Sequence, residues 1–209
     1  MPSSKSQRIA KNTLFLYFRM LITMLVSLYT SRIILNTLGV EDYGIYNVVG
    51  GVVMMFSIIN GTMATAVQRF MNYEMGKKDE ERLKTLFNIS VVIHIGIALI
   101  VLILLESIGV WFLNNKMNIS PERMNAANWV LQFSTFSFVA TILSVPYNAA
   151  IIANEKMKAF AFISILEVSL KLLIVFSLSW FSFDKLKLYA VLMFLLSVLL
   201  RIVYGIYAK

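Results

Sequence analysis

The sequence of 209 residues contains no cysteine and a single histidine, His94. Without cysteine the chain forms no disulfide, no thiolate metal site and no cysteine nucleophile. One histidine leaves few nitrogen ligands for a transition metal. We therefore expect neither a metal centre nor a cofactor.

Charged residues are also scarce: they make up 14% of the chain, whereas an average soluble domain has about 25%. Hydrophobic residues make up 59%. A membrane-spanning helix needs about 20 mostly apolar residues to cross a hydrocarbon core of roughly 30 Å. The composition thus predicts an all-α integral membrane protein with no soluble catalytic domain.

Hydropathy and helix-breaking residues divide the chain into six predicted transmembrane helices. The apolar run of the first helix continues past Leu35, beyond the length of a signal-peptide core, so we expect this helix to be retained. The segment 74–85 mixes acids and bases, and we interpret it as a solvated loop rather than a docking site for a partner. The predicted spans lie near residues 12–38, 43–67, 86–113, 123–151, 159–182 and 186–207.

Basic residues concentrate at alternate connections, and such a bias orients membrane proteins with the basic side in the cytoplasm. Eleven Lys and Arg residues fall on the side of the two termini, and four fall on the other. We therefore expect both termini in the cytoplasm. The same bias accounts for the net charge of +8 without nucleic acid as a partner. The eleven are Lys5, Arg8, Lys11, Arg69, Lys77, Lys78, Arg82, Lys84, Lys156, Lys158 and Lys209, and the four are Lys116, Arg123, Lys185 and Lys187.

Three predicted helices carry polar or small residues at three- and four-residue spacing, which places each set on one helix face. A polar face in lipid needs protein or water against it. For the first and fourth helices, both ordinary packing and a shared hydrated cavity fit the pattern. For the second, whose face is made of small residues, we expect close helix packing. The sets are Arg19, Thr23, Ser27 and Thr30; then Gly50, Ser57, Gly61, Ala64 and Gln68; then Ser134, Ser137, Thr141, Ser144 and Asn148.

The fifth predicted helix, with FISILEVSLKLLIVFSLSWF at 162–181, contains a carboxylate and an ammonium in an apolar stretch. Lys171 lies near its middle, where a charge costs about 2.5 to 3.5 kcal/mol on insertion scales. Glu167 precedes it by four residues on the same face, which is the favourable order for a pair. The pair either staples the bundle or lines a pathway in which Lys171 meets an anionic substrate. We favour the pathway, since charges inside membranes are usually functional.

Three further residues lie within predicted spans. Arg32, on the face opposite the polar face of the first helix, either reaches the headgroups or pairs within the bundle. His94, with Ser90 one turn before it, fits a hydrogen-bonded helix contact better than a proton relay. Pro146 removes one backbone hydrogen bond from the fourth helix, so it forms either a hinge or a fixed kink.

Three stretches resemble one transporter family. LNTLGVEDYGIYNVVGGVVMMFS at 35–57 places a Leu-Gly, an acidic pair and a Tyr-Gly after the first helix. TAVQRFMNYEMGKKDEERLKTLFNIS at 65–90 and VPYNAAIIANEKMKAFAFISILEVSLKLL at 145–173 occupy two later connections. All three are similar to polysaccharide flippases of the multidrug/oligosaccharidyl-lipid/polysaccharide superfamily, the Wzx type.

That resemblance implies one six-helix lobe of a transporter in which two lobes surround a central cavity. It implies a lipid-linked oligosaccharide, carried on undecaprenyl pyrophosphate, that moves from the cytoplasmic to the outer leaflet of a bacterial inner membrane. Lys171, Arg19 or Arg32 would then face the pyrophosphate or acidic sugars. Because superfamily members usually have two lobes, we expect a fragment that lacks the second lobe, the alternative being a homodimer.

Two other functions have weaker support. A drug-efflux transporter coupled to Na⁺ or H⁺ needs intramembrane carboxylates, and Glu167, the only deep one, faces Lys171. A polytopic enzyme acting on lipid-linked sugars needs acids or histidines gathered at one membrane face. The outer acids are scattered along the sequence, so we expect a transporter and not an enzyme. They are Glu41, Asp42, Glu122 and Asp184.

Overall fold

The computed structural model describes residues 3–208, apart from the side chains of residues 3–9, 11, 12 and 59. Its regular elements are all helical, in agreement with the expected fold class. The side chains of Lys5, Arg8 and Lys11, and the whole of Lys209, lie outside the described part. The α-helices are α1 Ser3–Met54, α2 Ser57–Lys77, α3 Glu80–Leu104, α4 Val110–Lys116, α5 Pro121–Ala153, α6 Met157–Ser177 and α7 Lys185–Ala208.

Within the described residues, five helical stretches are long and apolar enough to cross a membrane. The expected count of six spans is not confirmed, because α2 is not among them. The second predicted span is divided: its first part continues α1 to Met54, and its second part belongs to α2 after a turn at residues 55–56. The five stretches are Thr13–Met54, Glu80–Lys116, Pro121–Ala153, Met157–Trp180 and Lys185–Ala208.

The predicted connection between the first two spans is a bend inside α1 at Gly39. Its backbone angles, φ 82° and ψ 168°, are not helical and suit glycine alone. The two arms of α1, before and after Gly39, both contact the cluster around Val175 of α6, but only the second arm also reaches the core around α5. Ile34 in the first arm packs against Val175 of α6, whereas Val49 in the second arm belongs to the core around α5.

The connection between α2 and α3 consists of only two residues, Lys78 and Asp79. Lys78 ends α2 in the left-handed conformation, and the Asp79 carboxylate accepts a hydrogen bond from the Arg82 backbone N–H at 3.0 Å, which caps α3. Glu80 and Glu81 lie in the first turn of α3, where negative charge is favourable. The predicted loop over 74–85 is therefore shorter than expected, because most of that segment is helical, whereas most of its charged side chains are exposed, as the interpretation of a solvated segment requires.

Helix α5 lies at the centre of the bundle. Fourteen of its 33 residues are buried, and small side chains such as Ala127 let the neighbouring helices approach closely. Val101 of α3 and Ala190 of α7 belong to the same buried cluster. The helix continues without interruption through Pro146, which is buried. A hinge at Pro146 stays a prediction.

Candidate functional site

A groove of about 510 Å³ lies between the second arm of α1, α2, α5, α6 and α7. This volume is in the range of small-molecule binding sites. The polar face of the fourth predicted helix lines it, and so do Glu167 and Lys171 from α6. We call this feature the polar groove. The α5 residues that line it include Ser134, Ser137, Thr141, Ser144 and Asn148.

The two charges of the polar groove contact each other. Lys171 Nζ donates to Glu167 Oε1 at 2.6 Å, and the two side chains are 36% and 32% exposed. Both residues belong to α6, so their ion pair does not tie one helix to another. Whether the pair has a structural role or lines a transport pathway stays a prediction.

The α5 wall presents hydrogen-bond acceptors to the groove. Ser137, Thr141 and Ser144 donate their hydroxyl hydrogens to backbone carbonyls one turn earlier, at 2.7 to 3.0 Å. Their oxygens keep lone pairs that can accept from a ligand. Asn148 Oδ1 is buried and has no hydrogen-bond partner among the described residues. The wall therefore suits a ligand that carries hydroxyl donors.

The polar face of the first predicted helix does not line the polar groove, so the first and fourth helices do not share this groove. Thr23 and Thr30 donate to backbone carbonyls of their own helix. Arg19 lies against α6 instead, with Nη1 3.4 Å from Ser164 Oγ and the guanidinium 4.6 Å from the centre of the Phe160 ring. Arg32 is exposed and outside the groove.

The small residues of the second predicted helix line the groove rather than a helix contact. Gly50, Gly61 and Ala64 are all part of its wall. A Cβ atom added at Gly50 or Gly61 would meet no heavy atom within 4 Å. The predicted close packing at these glycines is therefore wrong in the described part of the chain, and their small size leaves the groove open.

Five polar residues of the groove were not predicted from the sequence: Tyr46, Asn47, Asn60, Ser197 and Tyr204. Ser197 and Tyr204 share a face of α7 with Ala190, at a seven-residue spacing that the sequence shows. Asn47 and Asn60 come from the two sides of the break at residues 55–56. Their convergence depends on that break, which hydropathy did not reveal.

A comparison with known proteins identifies the family. The MatE family profile matches residues 16–178, which is most of the chain. The chain belongs to the MatE family. Members of this family are membrane transporters, and this MatE chain is a multi-pass membrane protein.

One curated relative is the uncharacterized membrane protein EpsK of Bacillus subtilis (strain 168), which is 22% identical over 130 residues. The match covers 62% of the MatE chain and 26% of EpsK, so the chain spans about a quarter of the length of that relative. No solved structure matches the MatE chain significantly.

A second charged cluster of this MatE protein lies at the end of the bundle where α1 bends. Arg123 donates through Nε to Asp42 Oδ1 at 2.8 Å and through Nη1 to Asp184 Oδ2 at 3.0 Å, and Nη2 also contacts Asp42. Asp184 Oδ1 in addition accepts from the Leu186 backbone N–H and caps α7. We call this cluster the outer clasp, after the side of the membrane predicted for its residues. Two of the four acids that are scattered along the sequence are thus brought together on one arginine.

His94 lies in α3 and is 1% exposed. Its Nδ1 is 2.7 Å from the Ser90 backbone carbonyl oxygen. Because a carbonyl only accepts, Nδ1 carries the hydrogen and donates it. This geometry confirms the predicted hydrogen-bonded helix contact at His94.

Proposed function

We propose that this MatE protein moves undecaprenyl-pyrophosphate-linked oligosaccharide across the inner membrane of a bacterium, with both termini in the cytoplasm. One observation carries the proposal: the polar groove combines a lysine ammonium with a wall of hydroxyl and amide groups. The resemblance to polysaccharide flippases supports the same substrate class.

The two parts of the groove complement two parts of such a substrate. Lys171 offers N–H donors and positive charge to a phosphate oxygen, and ionised partners strengthen hydrogen bonds. Along α5, the hydroxyl oxygens of Ser137 and Thr141 and the amide oxygen of Asn148 accept from sugar hydroxyls. Glu167 Oε1 accepts a hydrogen bond from Lys171 Nζ at 2.6 Å and so orients the ammonium when no substrate is present.

Drug efflux coupled to a cation agrees less well with the same geometry. A cation site needs a carboxylate free to bind the ion. In the polar groove the Glu167 carboxylate is paired with Lys171 at 2.6 Å. A cation would have to displace an ammonium that the same helix holds in place.

The proposal also requires a second lobe to complete the transport pathway. Three apolar side chains lie beside the polar groove, at the end of α1, in the turn and at the start of α2, and each is at least 70% exposed. They are Met54, Met55 and Ile58. A second six-helix lobe, from another copy or another chain, would cover these side chains. Burial of apolar side chains together with a polar groove suits an interface that surrounds a cavity.

The test is made at the chromosomal locus, so that the protein is expressed in its native form. We expect that cells without the gene accumulate lipid-linked oligosaccharide on the cytoplasmic leaflet and lose their surface polysaccharide. Lys171→Ala should reduce surface polysaccharide at an unchanged protein level. Lys185→Ala removes an exposed lysine outside the groove and serves as the matched control.

A deletion strain with normal polysaccharide and normal distribution of the lipid intermediate would overturn the flippase proposal. Dye efflux measured in the same strain then distinguishes the alternative transport function. Loss of efflux with intact polysaccharide would assign the groove to a cationic drug.

A further inference from the structure

A second groove, of about 650 Å³, lies between α2 and α3. We call it the α2–α3 groove. It shares no lining residue with the polar groove. Charged residues line the end where α2 meets α3, and apolar residues line most of the remainder. The apolar residues include Met63, Phe70, Ile89 and Ile93.

The α2–α3 groove is long and has one charged end. Its α3 wall extends from Glu81 to His94. At a rise of 1.5 Å per residue, this separation corresponds to about 20 Å along the helix. A charged end at a helix connection followed by a long apolar slot matches an amphiphile whose headgroup lies at the membrane interface and whose acyl chain runs along the helices.

The charged end has an excess of carboxylates. Three acids, Glu74, Asp79 and Glu81, line it together with one base, Arg82. Arg82 Nε is 3.3 Å from Asp79 Oδ2, so this base and this acid neutralise each other. Among the described side chains, Glu74 and Glu81 have no ion-pair partner. Lys77, Lys78 and Lys84 belong to the same connection but do not line the groove, so the lining itself favours a positively charged group.

Two buried polar atoms in the groove wall lack a hydrogen-bond partner among the described residues: Glu74 Oε2 near the charged end and His94 Nε2 at the far end. Buried polar atoms are nearly always paired, because an unpaired one loses its hydration without compensation. The protein alone thus leaves the α2–α3 groove incomplete. At Glu74 the missing partner is a hydrogen-bond donor, and the local charge favours a cationic one.

We propose that the α2–α3 groove binds a phospholipid whose headgroup carries a primary ammonium. The ammonium pairs with Glu74 and Glu81, and one acyl chain lies along Phe70 and Ile89. A trimethylammonium headgroup carries no N–H to donate to Glu74 Oε2, and an anionic headgroup has the wrong sign of charge for two unpaired carboxylates. The groove therefore selects phosphatidylethanolamine over phosphatidylcholine and phosphatidylglycerol.

The test is native mass spectrometry of the purified full-length protein with these three lipids, matched in their acyl chains. We expect phosphatidylethanolamine to bind about tenfold more tightly than phosphatidylcholine, because a hydrogen bond to a charged group is being compared with none. Glu74→Gln should remove most of this preference. The control is Glu80→Gln, which removes an equal charge from an exposed residue that does not line the groove.

A second variant tests the apolar part of the groove. Ala66→Phe places a large side chain in the slot and should lower the binding of phosphatidylethanolamine without changing any charge. Size-exclusion chromatography shows whether each variant is folded. Equal binding of the three lipids, tightest binding of phosphatidylglycerol, or the same result for Glu74→Gln and Glu80→Gln would each overturn the proposal.

Discussion

The outer clasp and the polar groove each contain a charged cluster, but the two clusters are built differently. In the clasp, Arg123 holds Asp42 and Asp184, which lie 81 and 61 residues away in the sequence. In the groove, Lys171 pairs with Glu167, four residues away on the same helix. The first cluster joins three segments of the chain, whereas the second joins none.

The side chains of the clasp are also more buried than those of the groove pair. The side chains of Arg123, Asp42 and Asp184 are 26%, 17% and 28% exposed, and those of the groove pair are each about a third exposed. A charge that is buried against several partners stabilises structure only as part of the complete set. In a local pair that faces an open groove, Lys171 can leave Glu167 and contact a ligand with little change elsewhere in the structure. We infer that the clasp maintains the fold and that the groove pair is available for transport.

The largest expected effect on stability is that of Arg123→Ala. This change leaves Asp42 and Asp184 facing each other, mostly buried and without their shared cation. A partly buried ion cluster lies between an exposed pair and a fully buried one, so its loss costs about 2 to 3 kcal/mol, and we expect a clear fall in the midpoint of thermal unfolding. The measurement is the unfolding of purified protein in detergent, followed by size-exclusion chromatography.

Two companion variants test the cause. Arg123→Lys keeps the charge but loses the two-pronged contact with Asp42, so its midpoint should lie between those of Arg123→Ala and the wild type. Lys116→Ala removes an exposed cation at the same end of the bundle, whose Nζ lies 5.6 Å from the centre of the Trp111 ring, and should change the midpoint little. An unchanged midpoint for Arg123→Ala would show that the clasp does not stabilise the fold.

A smaller loss is expected for Gly39→Ala, at the bend that brings Asp42 to the clasp. Alanine is strained at φ 82° and ψ 168°, and such strain costs about 1 to 3 kcal/mol. Gly44→Ala, five residues later in regular helix and with no atom within 4 Å of the added Cβ, should instead be neutral or stabilising. Thermal unfolding compares the two, and equal midpoints would contradict the assigned role of the bend.

Features set by local periodicity were predictable from the sequence. The polar face of α5 and the pairing of Glu167 with Lys171 depend on three- and four-residue spacing along one helix, and both are present in the structure. The helical fold class was also predictable, because it follows from the apolar composition of the chain. Such features require no knowledge of which helices are neighbours.

Features set by the arrangement of helices were not predictable. The outer clasp requires Gly39 to turn the chain so that Asp42 meets Arg123, and no spacing rule connects these residues. Gly61 resembles a packing residue in sequence but borders the polar groove, because nothing in the described chain packs against it. Arg19 contacts Ser164 instead of the groove for a similar reason: neighbouring helices decide which face of α1 is covered.

The smallest expected effect on stability is that of Lys171→Met, which tests the comparison most directly. This pair lies on one helix and faces an open groove, so the unfolding midpoint should change less than it does for Arg123→Ala, whose partners lie on other segments. Surface polysaccharide should nevertheless fall, because the substrate loses its cationic contact. A large loss of stability together with normal polysaccharide would reverse this assignment.

The double variant Glu167→Gln, Lys171→Met separates a ligand site from a structural pair. If the pair is structural, each single change leaves one charge uncompensated inside the membrane, and the uncharged double variant recovers protein level and activity. If Lys171 contacts the substrate, removing Glu167 as well cannot restore a missing cation, and the double variant is as inactive as Lys171→Met. Because both residues lie on α6 and hydrogen-bond to each other, we expect the second result at an unchanged protein level.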